Sequence, residues 1–236
     1  EYYGDVLCAL GWACWKTYVG RPEADRPRQL AMTQLGIALS AAGHNEDALS
    51  VKETELSMLR RLGAPAEHIL ITLGNLSGTY ARLGRDEQAL SMYRDLYSGR
   101  LRFDGEEHKK TLLAASNYAL SLGCLGHFEE ARSLLRKTIP AARRVLGESH
   151  ETTLGMRMVY ANAISCDDGT TLDDLREAVT TLEETERSAR RVFGGAHPIT
   201  AGMGKALRKA RAELRDREGA VESILEAMGA MTAGDA

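Results

Sequence analysis

The histidines are the residues best suited to metal binding or acid–base chemistry, and the chain of 236 residues contains six of them. Four of them lie about 40 residues apart, each at or near a predicted turn between helices. Side chains separated in this way along repeated helix pairs cannot converge on one metal ion. Their repetition at one structural position predicts hydrogen bonds at the start of helices instead. These four residues are His68, His108, His150 and His197.

Catalytic motifs are the second place to look for chemistry. The sequence has no His-Glu-x-x-His, no Gly-x-Ser-x-Gly and no glycine-rich phosphate loop. Gly194 and Gly195 precede a predicted helix, but no strand comes before them and no Lys-Ser/Thr follows. The acidic segment 167–174 lacks the ligand spacing of a calcium loop, and Thr171 with Asp174 fits a helix capping box better. We therefore predict a protein that is not an enzyme, with no catalytic residue, no metal site and no cofactor.

Charge and hydropathy limit the classes of partner. A formal net charge of −3 gives no general attraction to nucleic acid, so we predict none as a partner. No run of about 18 apolar residues occurs, so we predict no direct membrane insertion. The chain begins at Glu1, which indicates a fragment, a processed chain or an incompletely built one. The expected partner is a protein or a peptide.

The four cysteines do not form a recognisable framework. They contain no Cys-x-x-Cys, and the first two would lie on different faces of one helix. Free thiols in a reducing compartment are expected, either the cytoplasm or an organelle interior after removal of a targeting segment. The compartment itself is not identified. The residues are Cys8, Cys14, Cys124 and Cys166.

Internal repetition indicates which elements position these residues. The strings GHNEDAL, GRDEQAL and GHFEEAR begin at Gly43, Gly84 and Gly126 and align without gaps. Apolar residues at three- and four-residue spacing precede and follow each string, which predicts two amphipathic helices folded back on each other. Such a pair cannot bury its apolar stripe alone, and a period of about 42 residues is typical of a helical solenoid.

The repeated residues resemble the tetratricopeptide repeat, and more narrowly its long-loop variety named after kinesin light chain. A Gly closes the first helix, an acidic pair and Ala open the second, and Leu-Gly-x-x-His-x-x-Thr precedes the next unit. The resemblance covers roughly 28–228 and is strongest in the third unit. It implies an all-α fold, a right-handed α-solenoid of about five helix-turn-helix repeats plus an N-terminal lead-in helix. The matching positions of the third unit are Asn117, Gly126, Phe128, Glu130, Ala131, Leu134, Val145, Leu146, Gly147, His150 and Thr153.

Three segments are expected. Residues 1–27 form an aromatic-rich helix and a Pro-containing connector, 28–229 form the solenoid, and 230–236 form a flexible tail. Trp12 and Trp15 either cover the first repeat or form a face that docks a partner. Among the details, Asn45 is expected to cap a helix, Pro140 to kink one, and a fifth pair to span 198–215 and 218–228. Gly74 and Gly78 indicate close approach, by a neighbouring helix or by a bound chain.

Amide side chains recur at one register of the first helix in the first three pairs, fourteen residues before the repeated alanine, and the row breaks at Val159, with Asn162 about one turn further along. A row of amides can bond both the N–H and the C=O of an extended peptide. The alternative is that they bond the adjacent helix. In the resembled family, asparagines in this part of the helix contact peptide, which implies that role here. The predicted binding residues are Gln34, Asn75, Asn117 and Asn162, with the basic residues Arg82, Lys205 and Lys209.

The predicted function is a noncatalytic scaffold or adaptor that binds a peptide segment or partner protein in a concave groove. One alternative is a permanent structural subunit of a larger assembly, docked through the Trp12 and Trp15 region and the convex face. A third hypothesis is that the chain is the regulatory part of an enzyme with appended repeats.

Overall fold

Ten α-helices and no β-strand make up residues 2–234, so the predicted all-α helical-repeat solenoid class is confirmed. The structure is a computed structural model that describes the backbone of residues 2–234 and the side chains of residues 3–226. The chain divides into two compact units, Glu1–Glu106 and Glu107–Ala236, called unit 1 and unit 2 below. The boundaries expected at 27 and 229 stay predictions, and residues 235–236 of the expected tail lie outside the described residues.

Each unit is built from antiparallel helix pairs. Unit 1 contains α1 (Tyr2–Tyr18), α2 (Arg26–Ala41), α3 (Asn45–Arg61), α4 (Ala66–Arg82) and α5 (Asp86–Asp104). Unit 2 contains α6 (Lys109–Cys124), α7 (Phe128–Val145), α8 (Glu151–Ser165), α9 (Leu172–Phe193) and α10 (Pro198–Gly234). We call α2, α4, α6, α8 and α10 the first helices, and α3, α5, α7 and α9 the second helices.

The turn inside a pair depends on a glycine with a positive φ angle. Gly43, Gly84 and Gly126 have φ values of 84°, 68° and 80°, a region that side chains with a Cβ rarely adopt. The next N–H donates back across the last helical turn, which satisfies a carbonyl that the helix leaves without a partner. These hydrogen bonds are His44 N to Leu39 O (2.9 Å), Arg85 N to Tyr80 O (3.0 Å) and His127 N to Leu122 O (2.9 Å).

Three of the repeated histidines bond the start of a first helix, as predicted. The Nδ1 atom of His108 accepts from the backbone N–H of Lys110 at 3.3 Å. The corresponding distances are 3.1 Å from Thr152 to His150 and 3.4 Å from Ile199 to His197. The fourth, His68, lies inside the first turn of α4, which follows Pro65. His108, His150 and His197 therefore stabilise the starts of their helices.

Small residues lie where the second helices pack on the first. Ala48, Ala131 and Ala178 are 0% exposed and Ala89 is 1% exposed. A larger side chain at such a contact would force the helices apart, at a cost of about 1–3 kcal/mol. The same register in α10 is occupied by Ala220, which is exposed. The repeat packing therefore stops before this point.

Helix termini show one wrong expectation and one confirmed one. Helix α3 begins at Asn45 itself and its N-cap residue is His44, so Asn45 is not the cap; its Oδ1 atom accepts from Arg82 Nε at 3.3 Å. Thr171 and Asp174 form the predicted capping box at the start of α9. Helix α7 runs through Pro140, so the Arg136 carbonyl has no N–H four residues later to bond.

The predicted break in the fifth pair is wrong, because α10 continues without interruption from Pro198 to Gly234. Arg215 occupies the register of Gly43, Gly84 and Gly126. A residue with a Cβ does not favour the positive φ that this turn requires, so the helix runs on. The backbone of the expected tail is accordingly helical as far as Gly234.

Candidate functional site

A cavity of about 380 Å³ opens along the first helices of unit 2. It is lined by residues of α6, α8 and α10 and by Phe128 at the start of α7. Asn162 from α8 and Lys205 and Lys209 from α10 all line it, so three residues predicted from sequence are brought together. We call this open face of α6, α8 and α10 the unit 2 groove.

The floor of the unit 2 groove is apolar. Leu120 contributes from α6, and Met158, Val159 and Ala163 contribute from α8. Leu120 is half exposed, whereas Val159 is buried. A cavity with apolar walls and a few polar groups is the usual form of a ligand-binding site.

Two glycines enlarge this cavity. Gly123 lies on α6 and Gly202 on α10, and both line it. A Cβ atom added to either glycine would meet no atom within 4 Å. A glycine inside a helix costs about 1 kcal/mol relative to alanine, and packing within the chain requires neither of these two. Their effect is to leave space beside the apolar floor.

The charge of the unit 2 groove is positive. Among the described residues that line the cavity, none is Asp or Glu, whereas Lys205 and Lys209 are both exposed. The Nζ atom of Lys209 donates to Cys166 Sγ at 3.2 Å, which positions the ammonium group without neutralising it. Two uncompensated ammonium groups beside an apolar floor favour a ligand that carries carboxylates.

Asn117 does not line the cavity, although it lies on the same helix as Leu120. It is half buried, and two exposed leucines flank it, Leu113 four residues before and Leu120 three residues after. The amide therefore lies within an apolar strip on the open face of α6. A peptide along this face would meet the leucines as well as the amide.

Unit 1 repeats this arrangement on its own first helices. Gln34 on α2 is exposed between the exposed residues Leu30 and Ile37. On α4, Asn75 is half buried and follows the exposed Ile71 by four residues. Sequence reasoning identified the amides and missed their apolar neighbours. The signal was available, because Leu30, Ile71 and Leu113 share the period of the inner-turn glycines.

Arg82 is held by partners within unit 1. Its Nε atom donates to Asn45 Oδ1 at 3.3 Å, and its NH2 group donates to Thr79 Oγ1 at 3.4 Å. Arg82 therefore bonds to the neighbouring helix pair of its own unit, as Lys209 does in unit 2 through Cys166.

A buried lysine in unit 1 escaped the sequence analysis. Lys52 is 2% exposed, and its Nζ atom donates to Ser40 Oγ at 2.6 Å and to Thr79 Oγ1 at 2.8 Å. These bonds tie α3 to both α2 and α4. Burial, and to a smaller extent the Arg82 guanidinium, lower the pKa of Lys52 to about 8. Gly36 makes room for the side chain, since a Cβ there would lie 3.0 Å from Lys52 Cγ.

Glu55, one helical turn after Lys52, has a similar structural role. It is 2% exposed, and it accepts a hydrogen bond from the Thr33 hydroxyl on α2. Burial raises the pKa of this carboxyl, and the bond from Thr33 offsets part of the effect. Glu55 lines a cavity of only about 80 Å³, much smaller than the cavity in unit 2. Lys52 and Glu55 therefore join the helices of unit 1.

The two tryptophans of α1 have different surroundings. Trp15 packs against Met32, Met58 and Leu59, and the Arg28 guanidinium lies over its ring at 5.8 Å. Trp12 is 42% exposed. The sequence left two interpretations open. Trp15 covers the first repeat, whereas Trp12 is the tryptophan that exposes a substantial surface to a partner.

Helix α1 also carries an apolar stripe that the sequence analysis missed. Tyr3, Val6 and Leu10 lie at helical spacing and are exposed. The opposite side of α1 packs closely on α2 through Gly4 and Gly11. A Cβ on Gly4 would lie 2.9 Å from the Ala42 Cα, and one on Gly11 would lie 2.9 Å from the Ala38 Cβ. Close packing on one side leaves the apolar stripe facing outwards.

A larger cleft, of about 650 Å³, lies in unit 1 among α3, α4 and α5. Its charged lining is mixed, with Arg60 and Arg102 opposed by Asp95. It contains none of the predicted binding residues. The cleft therefore lacks the single sign of charge that distinguishes the unit 2 groove.

Metal sites and membrane-spanning helices are both absent from the part of the chain that the structure describes. There, no group of three or more His, Cys, Asp or Glu side chains is arranged to hold a metal ion. Across the same residues, no helix combines the length and the apolar character needed to span a lipid bilayer.

Comparison with known proteins finds a family match for part of the chain. A family model described as tetratricopeptide repeat matches residues 68–144. No curated protein matches the sequence significantly. A Cβ added to Gly74, within the matched region, would lie 3.5 Å from Leu96 Cδ2, and one added to Gly78 would lie 3.8 Å from the Tyr93 hydroxyl oxygen. Both are ordinary contact distances, so packing inside unit 1 does not require glycine at either position.

Several solved structures share the fold. The structure of BtubC (BKLC) from P. vanneervenii has a TM-score of 0.66 and 16% identity, and the match covers 94% of this chain and 92% of that one. A putative kinesin light chain from Podosopora anserina, with nearly identical TPR-like repeats, has a TM-score of 0.63 and 19% identity, with coverage of 80% and 87%. A Rap protein complexed with competence and sporulation factor has a TM-score of 0.55 and 14% identity, with coverage of 89% and 59%. Residues 68–144 thus match the tetratricopeptide-repeat family, and the solved structures show that most of the chain has the helical-repeat fold found in proteins that include a kinesin light chain.

Proposed function

We propose that this chain is a noncatalytic protein-interaction scaffold, and that the unit 2 groove binds an acidic peptide segment of its partner. The tetratricopeptide repeat is generally an interaction module without catalytic activity, which supports the broad function. The Rap protein of similar fold is complexed with competence and sporulation factor, so at least one chain folded in this way carries a bound factor.

The observation that carries the proposal is the composition of one cavity. Its walls combine an apolar floor with Lys205 and Lys209, and no described lining residue is acidic. Two exposed ammonium groups with no carboxylate beside them attract negative charge, so a ligand that supplies carboxylates gains both charge pairing and apolar contact.

Each element of the groove has a function in this binding mode. The Asn162 amide can donate to a peptide carbonyl and accept from a peptide N–H. The absence of side chains at Gly123 and Gly202 lets a peptide backbone approach the helices. Leu120 and Val159 provide apolar contact for alternate side chains of an extended chain. On unit 1, Gln34 and Asn75 would hold peptide in the same manner on α2 and α4.

The proposal is tested by reversing the charge of the groove. Fluorescence anisotropy would follow binding of a labelled peptide rich in Glu and Leu, with a version carrying Lys in place of Glu as the ligand control. For Lys205→Glu combined with Lys209→Glu we expect affinity for the acidic peptide to fall at least about tenfold, because two charge pairs become repulsive. Asn162→Ala and Asn117→Ala should weaken binding less.

The matched control reverses the same amount of charge elsewhere in unit 2. Lys137 on α7 and Arg187 on α9 are exposed and lie on second helices. Lys137→Glu with Arg187→Glu should leave the affinity nearly unchanged, and circular dichroism should show full helicity for every variant. Equal losses in the groove variant and the control would rule out the groove as the binding site.

A second candidate function is that of a permanent subunit docked through α1. The outward apolar stripe of Tyr3, Val6 and Leu10 supports it, because exposed apolar surface of this kind is usually covered in an assembly. In that case Tyr3→Ser with Leu10→Ser should abolish co-purification in fixed stoichiometry, whereas the groove variant should not. Loss of the partner only in the groove variant would exclude this second candidate.

A further inference from the structure

Up to Glu226, the last residue whose side chain the structure describes, the second half of α10 carries exposed apolar side chains at helical spacing. Val221, Ile224 and Leu225 fall at helical spacing and are 41%, 59% and 62% exposed. Among the described residues, the last bonds from α10 to other elements are made by Arg217, to the Thr170 carbonyl at 2.7 Å, and by Glu218, to Arg176 at 2.8 Å. We call residues 218–234 the α10 extension.

The α10 extension occupies the register of a second helix that would fold back in an ordinary pair. Two features prevent this. Arg215 replaces the turn glycine, and the face that would receive the extension is charged, since Arg208 and Arg211 stand at the registers of the buried Ala119 and Leu122. An apolar stripe packed on two arginines would gain little from burial. The stripe is therefore left without a partner in its own unit.

The α10 extension is also acidic. Glu218, Glu222 and Glu226 follow one another at four-residue spacing, and no Lys or Arg occurs from Glu218 to Ala236. Two extensions packed side by side would bring like charges together, which argues against pairing of the extension with its own copy. The unit 2 groove has the complementary properties, with an apolar floor, Lys205 and Lys209.

The extension cannot reach the groove of its own chain. Lys209 and Glu222 lie on the same uninterrupted helix, 13 residues apart and therefore separated by about 20 Å. A second copy has no such restriction.

We propose that the α10 extension of one copy docks in the unit 2 groove of a second copy. Ile224 and Leu225 then cover the apolar floor, and Glu222 and Glu226 pair with Lys205 and Lys209. This inference rests on the proposed function, because it names an occupant of the same groove. The contact joins two different surfaces, so it yields either a reciprocal dimer or a longer chain of copies. The extension also competes with an external acidic peptide.

Charge exchange in the chain of 236 residues tests this pairing. The first variant carries Glu222→Lys with Glu226→Lys, and the second carries Lys205→Glu with Lys209→Glu. Sedimentation equilibrium over a wide range of protein concentration should show self-association of the unmodified chain, weakened by salt. For each variant alone we expect the association constant to fall at least about tenfold, because its extension and its groove then carry the same sign of charge. Mixing the two variants should restore association at equal stoichiometry, since each extension then meets a groove of opposite sign.

A third variant separates this inference from the proposed function. Ile224→Ser with Leu225→Ser changes two exposed side chains and leaves the groove intact. It should be monomeric and should bind the labelled acidic peptide more tightly than the unmodified chain, because the competitor is removed. An unmodified chain that is monomeric at every concentration, or a mixture of variants that does not associate, overturns the inference. Peptide binding that persists in that case leaves the proposed function standing. Unchanged association in the Glu222→Lys with Glu226→Lys variant would point to pairing of extensions instead and would also overturn it.

Discussion

Helices α2 and α4 of unit 1 and helices α8 and α10 of unit 2 occupy equivalent places in the repeat, but they carry different residues on their open face. In α2 and α4, the large apolar residues Leu30 and Ile71 occupy the register that Gly155 and Gly202 occupy in α8 and α10. In unit 1 the buried Lys52 joins three helices, whereas in unit 2 two lysines, Lys205 and Lys209, line an open cavity. The difference shows that the helix-pair scaffold leaves this face free to change. Positions such as Gly155 and Gly202 contribute little to packing, so the residues there can differ between repeats according to the ligand that is bound.

The largest expected effect comes from removing the lysine that joins the helices of unit 1. Lys52→Ala should lower the free energy of unfolding by about 3 kcal/mol, because it leaves a cavity and removes bonds to Ser40 and Thr79. The groove variant Lys209→Ala should change it by less than about 0.5 kcal/mol. Urea unfolding followed by tryptophan fluorescence measures the effect on unit 1, where both Trp12 and Trp15 lie. Similar losses in the two variants would contradict the contrast between the units.

A medium effect is expected from adding one methyl group at two glycines with opposite surroundings. Gly11→Ala should destabilise by about 2 kcal/mol, because the new Cβ would lie 2.9 Å from the Ala38 Cβ. Gly202→Ala should stabilise by up to about 1 kcal/mol, because its Cβ meets nothing and alanine favours the helix. Thermal unfolding followed by circular dichroism compares the two. If Gly202→Ala lowers the melting temperature, the groove is not open at that position.

The smallest effect is a dependence of stability on pH that belongs to unit 1. The pKa of Lys52 is lowered from 10.5 to about 8 in the folded chain, so between these values the unfolded chain binds more protons. Stability should therefore rise with pH in this window, by about 1 kcal/mol from about pH 8 to about pH 9. The rise is obtained by subtracting the curve of Lys52→Met, which removes the contribution of other groups. Parallel curves for the two proteins would show that the lysine is not desolvated.

Much of the fold was predictable because its signals are local. A turn glycine with positive φ, a histidine that bonds the helix start and a small residue at the helix crossing each depend on a few neighbouring positions. Such residues recur with the period of the repeat, so one good unit identifies the others. The capping box at Thr171 was predictable for the same reason.

The parts that were missed depend on contacts between distant residues or on the absence of a signal. Nothing near Lys52 in the sequence indicates burial, because its partners lie on α2 and α4. The continuity of α10 could have been inferred from Arg215, because a residue with a Cβ does not favour the positive φ angle of the turn. Ala220, at the register of the repeated alanines, indicates a second helix instead. Asn162, Lys205 and Lys209 were identified from register alone. Their grouping around one cavity required the packing of α8 against α10.

The uninterrupted α10 also has a consequence for how such chains grow. Stacking ends in unit 2 where Arg208, Arg211 and Arg215 replace residues of the types Ala, Leu and Gly found in a complete pair. Duplication of an internal repeat would lengthen the protein only if it were inserted before these arginines. Conversely, changing those three codons would give α10 the residue types of a complete pair, and its second half could then fold back as the second helix of a hairpin.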